Sequence, residues 1–251
     1  MSELVRLNHP PIIEAVVDID CDLPPDIQWE RLESQVRDSY RDTYPKFRKR
    51  FSQLHEIRTA EDATIAETSM KQTLEAFQLI KDDGNQLVQV RRQGFSFNKL
   101  APYPGLDTLL PEIRRTWEVF CSITSPRMIR RLQLRYINRI HIPFQDGGVD
   151  LNEYLRCGPR LPDEDGMALL GFLNQYSAVE KASGLQMQTV LTAQSAEGDR
   201  LSLILDNAAF DDKPLETCDW PAISTRIAAL RALKNRVFQN TLQPKCLDLF
   251  Q

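Results

Sequence analysis

The chain of 251 residues lacks any hydrophobic run long enough to cross a membrane. A transmembrane helix requires about 18 or more predominantly apolar residues, and no stretch of this sequence approaches that length. The opening residues Met1–Arg6 also lack the basic segment followed by an apolar segment that marks a secretion signal. We therefore expect no membrane partner and a cytoplasmic location.

The cysteines are too few and too scattered for a disulfide framework. There are five, an odd number, and no two of them form a CxxC pair or stand near a histidine at ligand spacing. We expect free, buried thiols, with no metal site. The residues in question are Cys21, Cys121, Cys157, Cys218 and Cys246.

Motifs that bind nucleotides or carry out catalysis are also missing. The sequence contains no HExxH, GxSxG, Walker A or GxGxxG pattern, and its three histidines, His9, His55 and His141, are far apart. We predict no cofactor. An enzyme that assembles dispersed residues in a cleft is not excluded by this pattern.

The charge is unevenly distributed along the chain. The net charge is −4, yet the segment from Lys81 to Ile142 contains eleven Lys or Arg residues and only five Asp or Glu residues. Such asymmetry indicates either association with a partner or neutralisation of one part of the domain by another.

Hydrophobic periodicity predicts an α+β fold. Strand-like alternation begins at Ile12 and ends near Cys21, and a helix is expected from about Asp26 to Tyr40. Further strands are predicted over 47–57, 73–81, 86–100, 128–142, 168–180, 185–194 and 200–209, a short helix from Asp150, and longer helices over 107–122 and from Asp219 to about 242.

The order of these elements predicts two similar halves, 1–124 and 125–251, each β-α-β-β-β-α in outline, packed as one compact domain. We expect a largely antiparallel sheet with helices on one face and the other face open. In element order alone, each half resembles the half-unit of the TATA-binding-protein-like fold, and this likeness of shape implies no function.

The strongest polar pattern lies on the predicted strand from Met128 to Ile142. Alternation places Ile129, Arg131, Gln133, Arg135, Ile137, Arg139 and His141 on one face. If the first strand lies beside this one, its acidic residues Glu14, Asp18 and Asp20 meet the three arginines across the sheet.

Two interpretations of this polar face are open. A cross-strand salt-bridge ladder would fix the register of the sheet, each pair contributing about 0.2–1 kcal/mol. Alternatively, the guanidinium groups would bind a carboxylate or phosphate group of a ligand or partner, which they can do bidentately.

A basic patch for nucleic acid is a further alternative. Its cations would be Arg91, Arg92, Arg127, Arg130 and Arg131, with Phe95, Phe97 and Tyr103 stacking on bases. The overall acidic charge and the absence of a recognised motif count against it.

Three segments carry a resemblance to a known family. They are the opening strand that begins Asn8-His9-Pro10-Pro11-Ile12, the segment Leu134–Pro143 and the closing residues Cys246–Phe250. Over its whole length the chain resembles a sporadically distributed bacterial family defined by its sequence pattern. The resemblance implies an accessory role, for example in defence or toxin control, and carries over no catalytic residue.

The leading hypothesis is a non-catalytic binding protein that engages a partner protein or a small anionic ligand. It would use an open sheet face or a groove between the halves, lined by Arg131, Arg135, Arg139, His141, Glu14 and Asp18. The second alternative is an enzyme with His141 and Glu14 as acid and base, and the third is a nucleic-acid binder. A homodimer formed through an exposed strand edge is compatible with all three.

Overall fold

The computed structural model describes residues 7–58, 67–145, 148–159 and 170–251, with side chains except at 53–58 and 67–71. The start of the strand predicted at Ala168 and the His55 side chain lie outside the described part. The strands are β1 (Ile12–Asp22), β2 (Lys46–Arg58), β3 (Glu67–Ile80), β4 (Gln86–Arg91), β5 (Gly94–Leu100), β6 (Met128–Pro143), β7 (Leu173–Val179), β8 (Gln186–Ala193) and β9 (Arg200–Asp211). The helices are α1 (Trp29–Tyr40), α2 (Leu106–Thr124), α3 (Trp220–Thr241) and α4 (Pro244–Leu247).

The strands form one antiparallel sheet in the order β2-β3-β4-β5-β1-β6-β9-β8-β7. The predicted α+β class and largely antiparallel sheet are confirmed. The first strands of the two predicted halves, β1 and β6, pair at the centre, so a single sheet runs through both halves. The last strand of each half, β5 or β9, lies beside its first strand.

The prediction of one strand over 86–100 is wrong, because a tight turn divides this segment into β4 and β5. The turn ends at Gly94, whose φ is +143°. A Cβ atom there would lie 2.0 Å from the Ile19 carbonyl oxygen, so only glycine permits this approach of β1. The first half therefore has one strand more than the second, and a duplication of TATA-binding-protein type stays a prediction.

A β-bulge near the start of β6 makes its two faces differ from the prediction. The register with β1 shifts between Asp20 and Cys21, so Arg130 and Arg131 both lie on the outer side of the strand. Ile129, which strict alternation placed on the polar face, is fully buried with the core residues. Beyond the bulge the predicted alternation holds from Leu132 to Ile142.

Helices α1, α2 and α3 cover one face of the sheet. Helix α1 presents Trp29, Leu32, Val36 and Tyr40 to the core, the stripe that its sequence predicts. It begins at Trp29 without a side-chain cap, so the predicted cap at Asp26 is wrong. Helix α3 begins after Asp219 as predicted, and the Asp219 side chain accepts from the Ala222 N–H. The short helix predicted from Asp150 is a single 3-10 turn at 151–153, where the Asp150 side chain accepts from the Asn152 N–H.

The core beneath the helices forms two apolar clusters. The larger lies under α1, α2 and the first part of α3, and it includes Trp117, Phe95 and Tyr136. The smaller lies near the end of α3 and includes Ile140 and Phe238. The candidate site lies where these clusters meet. Among the described residues, no helix is long and apolar enough to cross a membrane.

Candidate functional site

The polar face of the sheet, opposite the helices, contains the residues singled out from the sequence. Arg135 on β6 binds the Asp206 carboxylate on β9 bidentately, with Nε–Oδ1 and Nη2–Oδ2 distances of 2.9 and 2.5 Å. This hydrogen bonding, against the opposing effect of burial, raises the pKa of Arg135. Its charge is therefore already neutralised within the protein.

The acidic residues Asp18 and Asp20 of β1 also have partners on this face, mainly from β4 and β5. Arg91 of β4 lies 2.7 Å from an Asp20 carboxylate oxygen and 3.4 Å from one of Asp18. Asp18 also accepts hydrogen bonds from Ser96 and Gln133. Each carboxylate of this cluster has partners without any ligand.

Glu14 belongs to an amide chain that crosses the same face. Its Oε1 accepts from Asn98 Nδ2 at 2.7 Å, and Asn98 Oδ1 accepts from Gln89 Nε2 at 3.1 Å. Arg50 and Gln78 in turn donate to Gln89 Oε1. A connected polar network therefore runs from β2 to β1.

The expected ladder between the acids of β1 and the arginines of β6 is wrong, although the two strands are adjacent as predicted. Arg135 lies opposite Val16, between Glu14 and Asp18, and Asp206 on β9 meets its guanidinium instead. Asp18 and Asp20 have Arg91 of β4 as their cation, and Asp22 at the end of β1 pairs with Arg130 of β6. Asp20 lies directly opposite Arg131, but the Arg131 guanidinium lies near Asp212 instead.

Arg131, Arg139 and His141 are less constrained. The Arg131 guanidinium stacks over Phe210, 3.7 Å from the ring centroid, and lies 3.7 Å from Asp212. Arg139 is exposed and has no ion pair among the described residues, and His141 is half-buried near it on the strand. Their predicted role in binding stays a prediction.

The aromatic residues considered for stacking on nucleic acid are committed to the interior. Phe95 and Phe97 are fully buried in the core, where Phe95 packs on Trp117 and Phe120. The Tyr103 hydroxyl is bonded to that of Tyr136. Phe95 and Phe97 are therefore unavailable to stack on bases, and Tyr103 is engaged with Tyr136.

The strongest candidate site lies on the helix side, in a cavity of about 460 Å³. Its wall combines parts of both predicted halves: the segment that enters β1, the turn that enters α2, β6 and α3. The polar lining residues include Asn8, Tyr103, Tyr136, Asn138, Arg231, Lys234 and Asn235, and the apolar ones include Leu7, Ile12, Leu106 and Phe238. This volume lies within the range of small-molecule sites, about 300–1,000 Å³.

Lys234 is the most unusual residue of this cavity. It is only 6% exposed, and its Nζ lies 3.4 Å from the centroid of the Tyr136 ring. No carboxylate in the described part of the chain lies within salt-bridge distance of this amine. Lysine is rarely buried without an anionic partner, because an uncompensated charge in the interior is costly.

Burial, with a smaller effect of the nearby Arg231 charge, lowers the pKa of Lys234 well below its ordinary value. The Tyr136 ring favours the charged form by about 0.5–2 kcal/mol. That gain is smaller than the cost of removing an ammonium group from water. The Lys234 amine is thus held toward its neutral form, in which the nitrogen lone pair is free.

A tyrosine pair adjoins this amine. The Tyr103 and Tyr136 hydroxyls are bonded to each other, and their rings meet edge-to-face with centroids 5.2 Å apart. Burial raises the pKa of Tyr136 to about 12 and raises that of Tyr103 as well. Both phenols therefore keep their protons near neutral pH, and the pair can donate a hydrogen bond into the cavity.

Arg231 brings a positive charge to the cavity. Its Nη1 lies 2.8 and 2.9 Å from the two carboxylate oxygens of Asp107, at the start of α2. Asp107 is largely exposed, whereas Arg231 is half-buried, so the guanidinium keeps donors that this pair does not use. Because Arg231 and Lys234 are three residues apart on α3, they project from the same side of the helix.

Asn138 closes the cavity on the strand side. It is 2% exposed, and its Nδ2 donates to the Leu205 carbonyl at 2.9 Å. This hydrogen bond fixes the amide within the sheet and orients the side chain beside Tyr136.

The sequence reasoning missed this site, although one signal was present. The buried stripe of α3 runs through Ile223, Ile227 and Leu230 to Phe238, and Lys234 occupies the position between the last two. A lysine on an apolar stripe indicates either a long side chain that reaches solvent or a buried amine. Which of the two applies depends on the residues packed around the lysine, Tyr136 and Asn138, which are distant from it in the sequence.

The described residues contain no group of three or more His, Cys, Asp or Glu side chains arranged to hold a metal ion. All five cysteines are free: Cys21 and Cys246 are buried, whereas Cys218 is exposed. Comparison with protein-family models, with curated proteins and with solved structures gives no match.

Proposed function

We propose that the protein binds a small anionic molecule in the cavity between its two halves. The observation that carries this proposal is Lys234, a buried amine that lines the cavity and has no anionic partner in the described protein. A buried polar group without a partner is uncommon unless a ligand or a reaction uses it. The proposal keeps the predicted ligand class and moves the site from the sheet face to the groove.

The lining of the cavity supports an anionic group with an apolar tail. Arg231 offers charge-assisted hydrogen bonds to a carboxylate or phosphate, and the amides of Asn138 and Asn235 add polar groups. Leu106 and Phe238 provide apolar surface for the remainder of the ligand. A short branched carboxylate has this combination of groups.

Saturation-transfer NMR with 4-methylpentanoate tests the proposal. We expect transfer to the methyl protons with the wild-type protein and a loss of at least about tenfold in affinity with Arg231→Gln, because a hydrogen bond to a charged group contributes about 1.5–3 kcal/mol. Arg236→Gln is the matched control: Arg236 lies on the same helix, pairs with Glu180 and is not part of the cavity lining. Absence of transfer, or equal losses for both variants, would refute the proposal.

A further inference from the structure

We propose that Lys234 forms a Schiff base with a 2-oxo acid whose carboxylate is held by Arg231. The inference rests on the proposed function and adds to it the ligand's reactive group and a covalent step. It names a reactive carbonyl as the chemical feature that the cavity selects.

The state and position of the Lys234 amine favour attack on a carbonyl group. An amine attacks a carbonyl carbon only through its free lone pair, so a surface lysine is mostly unreactive at neutral pH. Lys234 lies inside the cavity, over the face of Tyr136, and no described carboxylate holds it in the ammonium form. Burial and the Arg231 charge favour the neutral amine.

The hydroxyl groups of Tyr103 and Tyr136 can transfer the protons that this reaction requires. Addition of the Lys234 nitrogen to the carbonyl carbon moves the C=O π electrons to oxygen, which receives a proton from the Tyr103–Tyr136 pair while the nitrogen gives its surplus proton back to that pair. The resulting carbinolamine then loses its hydroxyl group as water, with a second proton from the pair, and the nitrogen returns a proton to the tyrosines as the C=N bond forms. One water is released, no oxidant or reductant is needed, and the tyrosine pair ends unchanged.

The position of Arg231 suits the carboxylate of a 2-oxo acid. In a 2-oxo acid the carboxylate is bonded directly to the reacting carbonyl carbon, so the two groups must be recognised by side chains that are close together. Arg231 and Lys234 are three residues apart on one face of α3, and both line the cavity. A carboxylate bound at Arg231 therefore presents its carbonyl carbon to the Lys234 amine.

Reductive trapping tests the inference. Wild-type protein is incubated with 4-methyl-2-oxopentanoate and borohydride, and the adduct is located by peptide mass spectrometry. We expect one adduct, on Lys234, that is absent in Lys234→Met and retained in Lys181→Met, which removes an exposed lysine. Because mapping on the wild-type protein identifies the residue, the result does not depend on how well a variant folds.

A variant and a second probe test the role of Arg231. Arg231→Gln is expected to reduce trapping of 4-methyl-2-oxopentanoate by at least about tenfold, because the carboxylate contact is lost. Trapping of 3-methylbutanal, which has the carbonyl without the carboxylate, should be similar in the wild type and this variant. Equal loss with both probes would overturn the assignment of Arg231 to the carboxylate.

The outcomes distinguish this inference from the proposed function. If 4-methylpentanoate binds in an Arg231-dependent manner but no adduct forms on Lys234, the Schiff base is refuted and anion binding stands. If adducts form only on exposed lysines, the Schiff base is also refuted. If Lys234 is trapped by 3-methylbutanal while neither carboxylate binds, the 2-oxo acid and the anion site are both refuted.

Discussion

The polar face of the sheet and the cavity beside α3 differ in how their charges are compensated. On the sheet face, Arg135 is bound by Asp206, and Asp18 and Asp20 by Arg91. In the cavity, Lys234 is more deeply buried than any of these groups and has no ionic partner among the described residues. Charges with partners inside the protein need no ligand, whereas a buried amine without an ionic partner is costly and is a candidate for a functional site.

The largest expected effect is a loss of stability when an ion pair on the sheet face is broken. Arg135→Glu leaves Asp206 without its partner and places a new carboxylate near Glu14 and Asp18, so we expect the free energy of unfolding to fall by about 2–3 kcal/mol, within the range for hydrogen bonds to charged groups. Arg139→Glu is the matched control on the same face of β6, where the native arginine is exposed. Its effect should be within about 0.5 kcal/mol, as measured by denaturant unfolding.

This pair of variants also tests the binding role predicted for the sheet face. If Arg135→Glu unfolds no more easily than Arg139→Glu, the bidentate pair with Asp206 does not contribute to stability. The arginine would then be available to a ligand or partner.

A smaller loss is expected from Arg91→Met. The substitution removes the cation shared by Asp18 and Asp20, whose side chains are only partly exposed. Hydrogen bonds to charged groups contribute about 1.5–3 kcal/mol, and we expect a loss of stability in that range. Denaturant unfolding measures this loss; a change within about 0.5 kcal/mol would show that the shared cation does not contribute to stability.

The third variant changes stability in the opposite direction. Lys234→Met removes a poorly solvated amine and keeps an unbranched side chain beside Tyr136, so we expect stability at pH 7 to rise by about 1 kcal/mol or more. Lys181→Met, at an exposed position, should have little effect. A destabilised Lys234→Met protein would show that the amine contributes to folding through its contact with Tyr136.

The pH dependence of this gain follows from the lowered pKa of Lys234. Between the folded pKa and the unfolded value of 10.5, the unfolded chain binds one more proton at this residue, so wild-type stability rises with pH. The advantage of Lys234→Met should therefore shrink by up to about 1.4 kcal/mol per pH unit as the pH approaches 10.5. Among the neighbouring groups, Arg231 stays charged in this window because its pKa is raised, and Tyr103 and Tyr136 stay protonated because burial raises their pKa. Unfolding curves recorded from pH 7 to 10 measure this effect.

Local patterns in the sequence predicted most of the fold. Alternation and turn residues identified the strands and the α+β class, and the apolar spacing of α1 identified its buried face. Two features escaped these rules because they depend on contacts between distant segments. The bulge at Arg130 and Arg131 places Ile129 on the core side of β6. The turn between β4 and β5 requires glycine at position 94 because β1 passes close to it.

The candidate site was less predictable than the fold. The arginines of β6 were conspicuous in the sequence, but their partners depend on which strands lie beside β6: on one side it is β9, and Asp206 of β9 binds Arg135. Lys234 was inconspicuous, because a single lysine on an amphipathic helix is common and only its neighbours distinguish it. Those neighbours, Tyr103 and Tyr136, come from two other parts of the chain.

The titration of Lys234 is the most direct test of the central claim that the cavity holds a neutral amine. NMR of protein labelled with 13C at lysine Cε follows each amine as the pH is changed, and Lys234→Met identifies the resonance in question. We predict that the Lys234 signal titrates well below the ordinary lysine value of 10.5. A Lys234 signal that titrates at or above that value would contradict the claim.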